Sequence, residues 1–419
     1  MTTINLNQIG KDSKEASRLF GVASTQAKNA FLHALARSLG DKKEAILVAN
    51  SKDLRLAKEK GLSGALLDRL SLQNRLEEII KDVLHVEELP DPVGEIFETR
   101  VLPNGLKLAK HRTPLGVLGV IYEARPNVTV DITSLALKTG NAVILRGGSE
   151  TLNTNTLLVQ IIQQTLEQSD LPPNAVQLIA SPDRSYVQEM VKMDRYIDML
   201  IPRGGTALQE YCKMNSTIPV ITGGVGICHL YLDEEVDLEA ALPVIFNAKV
   251  QRPAACNALD TLLVHEKIAS KAIPKVIEKL QTAGVEFHLD PTALKLAANN
   301  ANCIPAKDAD WDTEWLSLSL GIKVVSEMKT ALHHIAEHSM SHSDGILTSN
   351  KEHAKQFVAG VDSACVYVNA STRFTDGGQF GLGAEVAVTT QKLHARGPMG
   401  LKELTTYKWV IEGEYHVRS

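Results

Sequence analysis

The sequence predicts an α/β protein with two domains and a small projecting hairpin, and three observations carry that prediction. The chain has 419 residues, too many for one compact core and suited to two. From residue 115 onward short apolar segments alternate with helical ones, which is the pattern of βαβ units around a parallel sheet. Just before that point, ETRVLPNGLKLAKHRTPLG sets a Pro-Asn-Gly turn between two alternating segments, a hairpin signal.

The elements follow in order. Ala16, Leu19, Phe20 and Val22, then Ala30, Leu32, Leu35 and Leu39, recur near a helical period, so the chain up to Pro90 and Pro92 reads as helices. After the hairpin, LGVLGVIYE, NAVILRGG, AVQLIAS, IDMLIPRGG and IPVITGG read as strands through residue 224. Between them DITSLALKTG, ETLNTNTLLVQIIQQTLEQS and TALQEYCKM read as helices. A second α/β unit runs from CHLYLD (228–233) to VYVN (366–369), with DTLLVHE, GIKVVSE and GILTSN as strands and KIASKAIPKVIEKLQTAG as a helix. The Gly-rich tail STRFTDGGQFGLGAE reads as a return to the first domain. LTTYKWVIEGEY then reads as an edge strand that meets the hairpin.

Composition narrows the function. Hydrophobic residues make up 44% and charged residues 22%, an ordinary globular balance. A net charge of -5 argues against nucleic acid or an anionic membrane as partner, while leaving room for a small anion held by local arginines. MTTINLNQIGKDSKEAS has no apolar run behind a basic start, so no signal peptide is expected, and no stretch is apolar enough to span a membrane. Five cysteines without CxxC spacing suit reduced thiols in a cytoplasmic enzyme rather than a disulfide set or zinc site.

Several residues could do chemistry. Cys256, in FNAKVQRPAACNALDTLLVHE, falls on a turn between a helix and a strand, with Arg252 four residues earlier. A nearby cation favours the thiolate, although a small buried thiol is the plainer reading of a lone cysteine, and Cys256 is only the best of the five. Cys212, Cys228, Cys303 and Cys365 lie within apolar patterns and read as structural. Asn127, in YEARPNVTVD, follows a strand end, where a side-chain amide can donate to an oxyanion or cap the next helix. Arg146 precedes Gly147, Gly148 and Ser149, a setting for a phosphate or for a capping turn with a surface arginine. IDMLIPRGG likewise ends in Gly204-Gly205, and IPVITGG in Gly223-Gly224. Glycine pairs at strand ends permit close approach of a ligand, although no GxGxxG is present. His334 and His338 stand i, i+4, but no Cys or carboxylate completes a set, so no metal site is expected. His342, at a loop end, reads as a substrate contact.

Taken together in order and spacing, YEARPNVT, NAVILRGGSE, IPRGG, ITGGVGICHLY, QRPAACNALDTLLV, DWDTEWLSLSLGIKVV, HSMSHSDGI, VNASTRFTDGGQFGLGAE and KLHARGPMGL resemble the aldehyde dehydrogenase superfamily, and within it the reductases of acyl phosphates. Met340 departs from the Ser or Thr usual in that branch, a change expected to touch loop packing only. The resemblance implies a Rossmann-like cofactor-binding domain over residues 1–98 and 113–226, with a returning segment at 371–395. It places an α/β catalytic domain at 227–370 and oligomerisation arms at 99–112 and 396–419. It also implies Cys256 as nucleophile and Asn127 as oxyanion donor. Arg146, Gly147, Gly148, Ser149, Gly204, Gly205, Gly223 and Glu314 become cofactor-binding residues. A small neutral Ser149, where relatives that prefer NAD carry a glutamate, implies NADPH. Arg252, Arg373, Arg125 and His342 are the expected substrate-binding residues. The implied reaction is NADPH-dependent reduction of L-glutamyl 5-phosphate to L-glutamate 5-semialdehyde in a homo-dimer or homo-tetramer, with a glutamate 5-kinase as supplier. Ile221 and Thr222 stand where hydrolytic relatives carry a general-base glutamate, which disfavours the alternative of a hydrolytic aldehyde dehydrogenase. The other alternative is a nucleotide-binding scaffold without turnover.

Overall fold

The computed structural model describes residues 4–62, 64–297 and 300–418. They fold into two compact units. One runs to Thr222 and takes in Gly381–Ala387 and the chain from Met399; the other comprises Gly223–Phe380 and Val388–Pro398.

The first unit opens with helices α1 (Leu6–Phe20), α2 (Thr25–Asp41), α3 (Lys43–Glu59), α4 (Gly64–Leu70) and α5 (Leu76–Glu88). Asn5 and Ser24 start α1 and α2 by accepting hydrogen bonds from the Gln8 and Ala27 amides, at 3.1 and 3.2 Å, which satisfies donors the helix itself leaves orphaned. Ala16, Phe20, Leu32, Leu35 and Leu39 face inward as the periodicity predicts. Leu19, Val22 and Ala30 lie off that face and are exposed. A buried ion pair of 2.5 Å between Lys28 and Asp91 fastens α2 to the segment after α5.

The hairpin forms from β1 (Ile96–Val101) and β2 (Lys107–Pro114), antiparallel, with Gly105 at φ +91° in its turn. A side chain would strain that left-handed backbone. Next come β3 (Val117–Tyr122), α6 (Asn127–Lys138), β4 (Ala142–Gly147), α7 (Leu152–Gln168), β5 (Val176–Leu178), α8 (Ser185–Met190), β6 (Met199–Arg203) and α9 (Thr206–Asn215). The four strands make a parallel sheet in the order β5-β4-β3-β6. Every residue of β3 and β4 is buried, which is why both read as continuous apolar runs rather than alternating ones.

One expectation fails here. IPVITGG is not a strand: it meets β6 only through the bridge Leu200↔Val220. Pro219 offers a carbonyl to the Leu200 amide but has no N–H to extend the ladder backward, and Pro202 of β6 has none to extend it forward.

The second unit contains β7 (Cys228–Leu232), α10 (Leu238–Val250), β8 (Leu259–His265), α11 (Glu266–Gln281), β9 (Glu286–Leu289), α12 (Pro291–Leu296), β10 (Cys303–Pro305), β11 (Ser319–Val325), α13 (Met328–His338), β12 (Ser343–Leu347), α14 (Lys351–Gly360) and β13 (Cys365–Val368). Its seven strands form one parallel sheet in the order β10-β9-β11-β8-β7-β12-β13. Helix α11 continues through Pro274 because its buried stripe, Ala269, Ala272, Ile273, Val276, Ile277 and Leu280, packs into the core. Truncating one such Ile or Leu to Ala costs about 2–5 kcal/mol. Strands β9 and β10, of four and three residues, are too short to show as a periodic pattern and the sequence reading does not include them.

The tail supplies β14 (Ala387–Thr389), β15 (Gly397–Met399) and β16 (Thr405–Glu412). As an edge strand β16 pairs with β2 over its whole length, with Lys110 opposite Trp409, completing a three-stranded sheet β1-β2-β16. Lys110 lies over the rings of Tyr407 and Trp409, at 4.3 and 5.1 Å. Among the described residues no helix is long and apolar enough to cross a membrane.

Candidate active site

In a parallel sheet, ligands bind beyond the carboxyl ends of the strands. At that edge of the first unit's sheet lies a cavity of 670 Å³ lined by Arg146, Gly148 and Ser149 together with Glu123, Glu150 and Arg184. Arg146 is the last side chain of β4 before its glycine pair and is buried rather than the surface residue of the plainer reading. Its Nη2 donates only long bonds of 3.4 Å to the Pro182 and Asp183 carbonyls, and its buried Nε has no partner among the described residues. Burial holds the guanidinium below its ordinary value. Gly147 lies beneath, where an added Cβ would collide with Asn155.

Gly204 and Gly205 form the turn into α9. The Gly205 N–H donates to Glu123 Oε2 at 3.2 Å, and a Cβ on Gly204 would come within 2.6 Å of the same oxygen. A carboxylate therefore sits at a helix N-terminus, a natural seat for an anion. Glu150 accepts from the Ala124 N–H at 2.6 Å, with Ala124 in the left-handed region at φ +43°. A non-glycine residue held there marks a backbone that its surroundings over-determine.

Asn127 is the first residue of α6, and Pro126 occupies the cap position. The side chain does not cap the helix. It donates through Nδ2 to Asp131 Oδ2, one turn on, at 2.8 Å. Burial raises the Asp131 carboxyl to about 7, against the opposing effect of the Asn127 bond. Arg125 is half-buried in the turn between β3 and α6.

In the second unit, Cys256 lies half-buried on the turn between α10 and β8. Gly226 packs against it so closely that a Cβ there would overlap the Cys256 carbonyl, so only glycine fits. The Cys228 thiol donates to that carbonyl at 3.3 Å. Glu314 Oε1 accepts from the Gly226 N–H at 3.1 Å, and burial raises its carboxyl. Beneath the loop, Asp260 accepts from the Cys228 and Trp315 amides, both at 3.1 Å, and stands 3.9 Å from the buried Lys249 ammonium. On the other side, Asn257 donates to Thr375 O at 2.8 Å and Arg373 O at 3.4 Å, while Thr372 donates to Asn257 O at 2.6 Å. Arg373 is held below its ordinary value by burial and then by Arg252, with Cys256 acting the other way. The two arginines and the thiol thus share one electrostatic neighbourhood.

Gly223 bridges to Thr389. His342 is fully buried; its Nδ1 pairs with Ser343 Oγ at 2.9 Å, and burial pulls it to about 4. The imidazole is neutral near pH 7 and offers a substrate anion no charge. His334 and His338 have their rings 4.3 Å apart, but His338 is engaged by Asp312 and His334 by Lys323.

The sequence reading misses Glu123, Glu150, Asp131, Arg184 and Asp260. Arg184 had a usable signal, since SPDRSY follows the carboxyl end of β5. The others needed the tertiary structure to show where each carboxylate turns.

The sequence model of the Aldehyde dehydrogenase family matches residues 5–300. A protein of Histophilus somni (strain 129Pt) named gamma-glutamyl phosphate reductase is 55% identical over 99% of this chain and all of its own. A protein of Yersinia enterocolitica with the same name is 56% identical over 99% of both chains. The crystal structure of gamma-glutamyl phosphate reductase from Thermotoga maritima superposes with a TM-score of 0.97 at 46% identity, covering 99% of this chain and all of that one. An acetylating aldehyde dehydrogenase from Geobacillus thermoglucosidasius shares the fold, with a TM-score of 0.69 at 16% identity over 99% of this chain and 97% of its own. The chain belongs to the aldehyde dehydrogenase family, in the branch occupied by the proteins named gamma-glutamyl phosphate reductase.

Proposed function

We propose that this protein reduces L-glutamyl 5-phosphate to L-glutamate 5-semialdehyde with NADPH, through a thioester on Cys256. The observation that carries the proposal is the Cys256 turn itself. A half-buried thiol lies within the field of Arg373, and Ile221 and Thr222 stand where a water-activating glutamate would be needed for hydrolysis. Kinship at 54–56% identity with proteins named for this activity supports the same reading.

In the first step the Cys256 thiolate attacks the acyl carbon. Asn127 is the side-chain donor assigned to the developing oxyanion, and loss of one such donor typically costs about 10²–10³ in kcat. Phosphate leaves and the acyl group remains on sulfur. The reduced nicotinamide, when bound, supplies hydride. Cys256 is then expelled from the resulting thiohemiacetal as a thiolate, releasing the aldehyde. The product cyclises to pyrroline-5-carboxylate, a precursor of proline.

The chain's residues fit the cofactor. The first unit's cavity offers the buried Arg146 Nε and the Arg184 guanidinium to phosphates. Two guanidiniums near one rim favour NADPH over NADH, and Glu314 is the carboxylate assigned to the nicotinamide ribose. The exposed strands β1 and β16, with Val101, Trp409 and Ile411 at the surface, are the surface assigned to a homo-dimer or homo-tetramer. The lability of an acyl phosphate favours direct supply by a glutamate 5-kinase in the cytoplasm.

The reaction run backwards tests the proposal. Semialdehyde and NADP⁺ are mixed with and without phosphate, and reduced nicotinamide is followed by absorbance. Phosphate-dependent turnover that vanishes in Cys256→Ala is expected, and phosphate-independent turnover would replace the reading with a hydrolytic one.

A further inference from the structure

Beside the Cys256 turn the second unit contains a polar cavity of 350 Å³, lined by Asn247, Gln251, Arg373, Phe374, Asp376 and Gln379. Arg373 is fixed there by a 2.7 Å bond from its Nε to Gln251 Oε1. Asp376 is fixed by accepting the Gly378 and Gln379 amides on Oδ1, at 2.9 and 3.1 Å. The two side chains feel each other's charge. The cavity adjoins the nucleophile loop, because Asn257, next to Cys256, bonds to the Arg373 and Thr375 carbonyls.

A cavity meant for phosphate alone would present cations and amides, and a carboxylate at its wall would repel the ligand. One cation and one anion in a cavity otherwise lined chiefly by side-chain amides instead match a ligand end that carries both signs. We infer that this cavity binds the α-amino acid end of the substrate, with Arg373 on the α-carboxylate and Asp376 on the α-ammonium. The inference rests on the proposed glutamyl substrate and deepens it. Asp376 becomes the residue that selects an amino acid over the corresponding dicarboxylic acid derivative. Arg373 recognises both, since both carry the distal carboxylate. Asp376 makes no bond with the reacting carbon, so its effect is on specificity.

The test uses the full-length enzyme and the variant Asp376→Asn, whose Oδ1 can still accept the two turn amides. In the reverse reaction, kcat/KM is compared for L-glutamate 5-semialdehyde and 5-oxopentanoate, which lacks only the α-amine. Asp376→Asn is expected to lower kcat/KM for the amino substrate by about 10- to 100-fold, the range for a hydrogen bond to a charged group. It should leave the amine-free analogue within about twofold. Equal loss on both substrates, or no loss on either, would overturn the inference. A second measurement needs no turnover and so separates this inference from the proposed reaction. L-glutamate should slow alkylation of Cys256 by iodoacetamide more than glutarate does at equal concentration, and Asp376→Asn should erase the difference. Equal protection by the two acids in the unaltered enzyme would also overturn it.

Discussion

Asn127 gives its side-chain amide to Asp131, one helical turn along α6, at 2.8 Å. In the proposed reaction the second N–H of this amide holds the oxyanion, and the bond to Asp131 would fix the amide for that role. Asp131→Ala is expected to lower kcat about 10-fold with KM nearly unchanged, a smaller loss than the ~10²–10³ expected for Asn127→Ala. Steady-state kinetics on both variants checks the order, and an Asp131→Ala enzyme with full kcat would refute the anchoring role.

The same carboxyl sets a pH dependence of stability. Burial raises it to about 7 in the folded protein, against roughly 3.9 in an unfolded chain. Below pH ~4 both states hold the proton and nothing is lost. Between pH ~4 and ~7 the unfolded state ionises first, so the folded state loses stability until the folded carboxyl also ionises. Asp131→Asn removes that loss, so the variant should gain on the parent as pH rises from 4 to 7, by roughly 2–4 kcal/mol. Denaturant titrations at pH 5 and pH 8 measure it, and an equal difference at both would contradict the assignment.

Glu123 occupies the Gly205 N–H where a dinucleotide pyrophosphate is expected. Glu123→Gln should tighten NADP⁺ binding, because the amide can yield the site without like-charge repulsion. Calorimetric titration decides the sign, and weaker binding would mean that the carboxylate orders the turn instead.

Arg184 shares the cavity with Arg146 and acts on it electrostatically. Arg184→Gln should weaken NADP⁺ binding about 10- to 100-fold and leave NAD⁺ within a few-fold, as expected for loss of a charge-assisted bond to the 2′-phosphate. Equal weakening of both cofactors would place Arg184 elsewhere on the dinucleotide.

Lys249 and Asp260 form a buried pair under the Cys256 loop, the lysine lowered to about 8 and the carboxyl raised to about 7, in each case chiefly by burial. Lys249→Met leaves the Asp260 charge buried without its cation, and a loss of about 3–5 kcal/mol is expected. Chemical denaturation provides the measurement. A change below about 1 kcal/mol would mean that the pair is already neutral, with the proton resting on the carboxyl.

The sequence by itself determined the class of the fold and the chemistry-bearing turns. Local pattern was enough for the strands of β3 and β4, the helix α11 and the hairpin, because each writes its burial into a run or period that neighbouring residues repeat. It was enough for Cys256, Asn127 and Arg146 to be singled out, since each lies at or beside the end of a secondary-structure segment in a recognisable motif. It was not enough for IPVITGG, whose apolar residues suit a strand while Pro219 and Pro202 withhold the hydrogen bonds that would make one. Only the tertiary structure decided that Asn127 turns to Asp131 rather than to its own helix end, and that Glu123 reaches Gly205 from 82 positions away. It also decided that His342 is buried and neutral, and that Arg373 and Asp376 face one cavity. Backbone pattern is local and survives in the sequence, whereas the partner of a long polar side chain depends on which distant segments the fold brings within hydrogen-bonding reach.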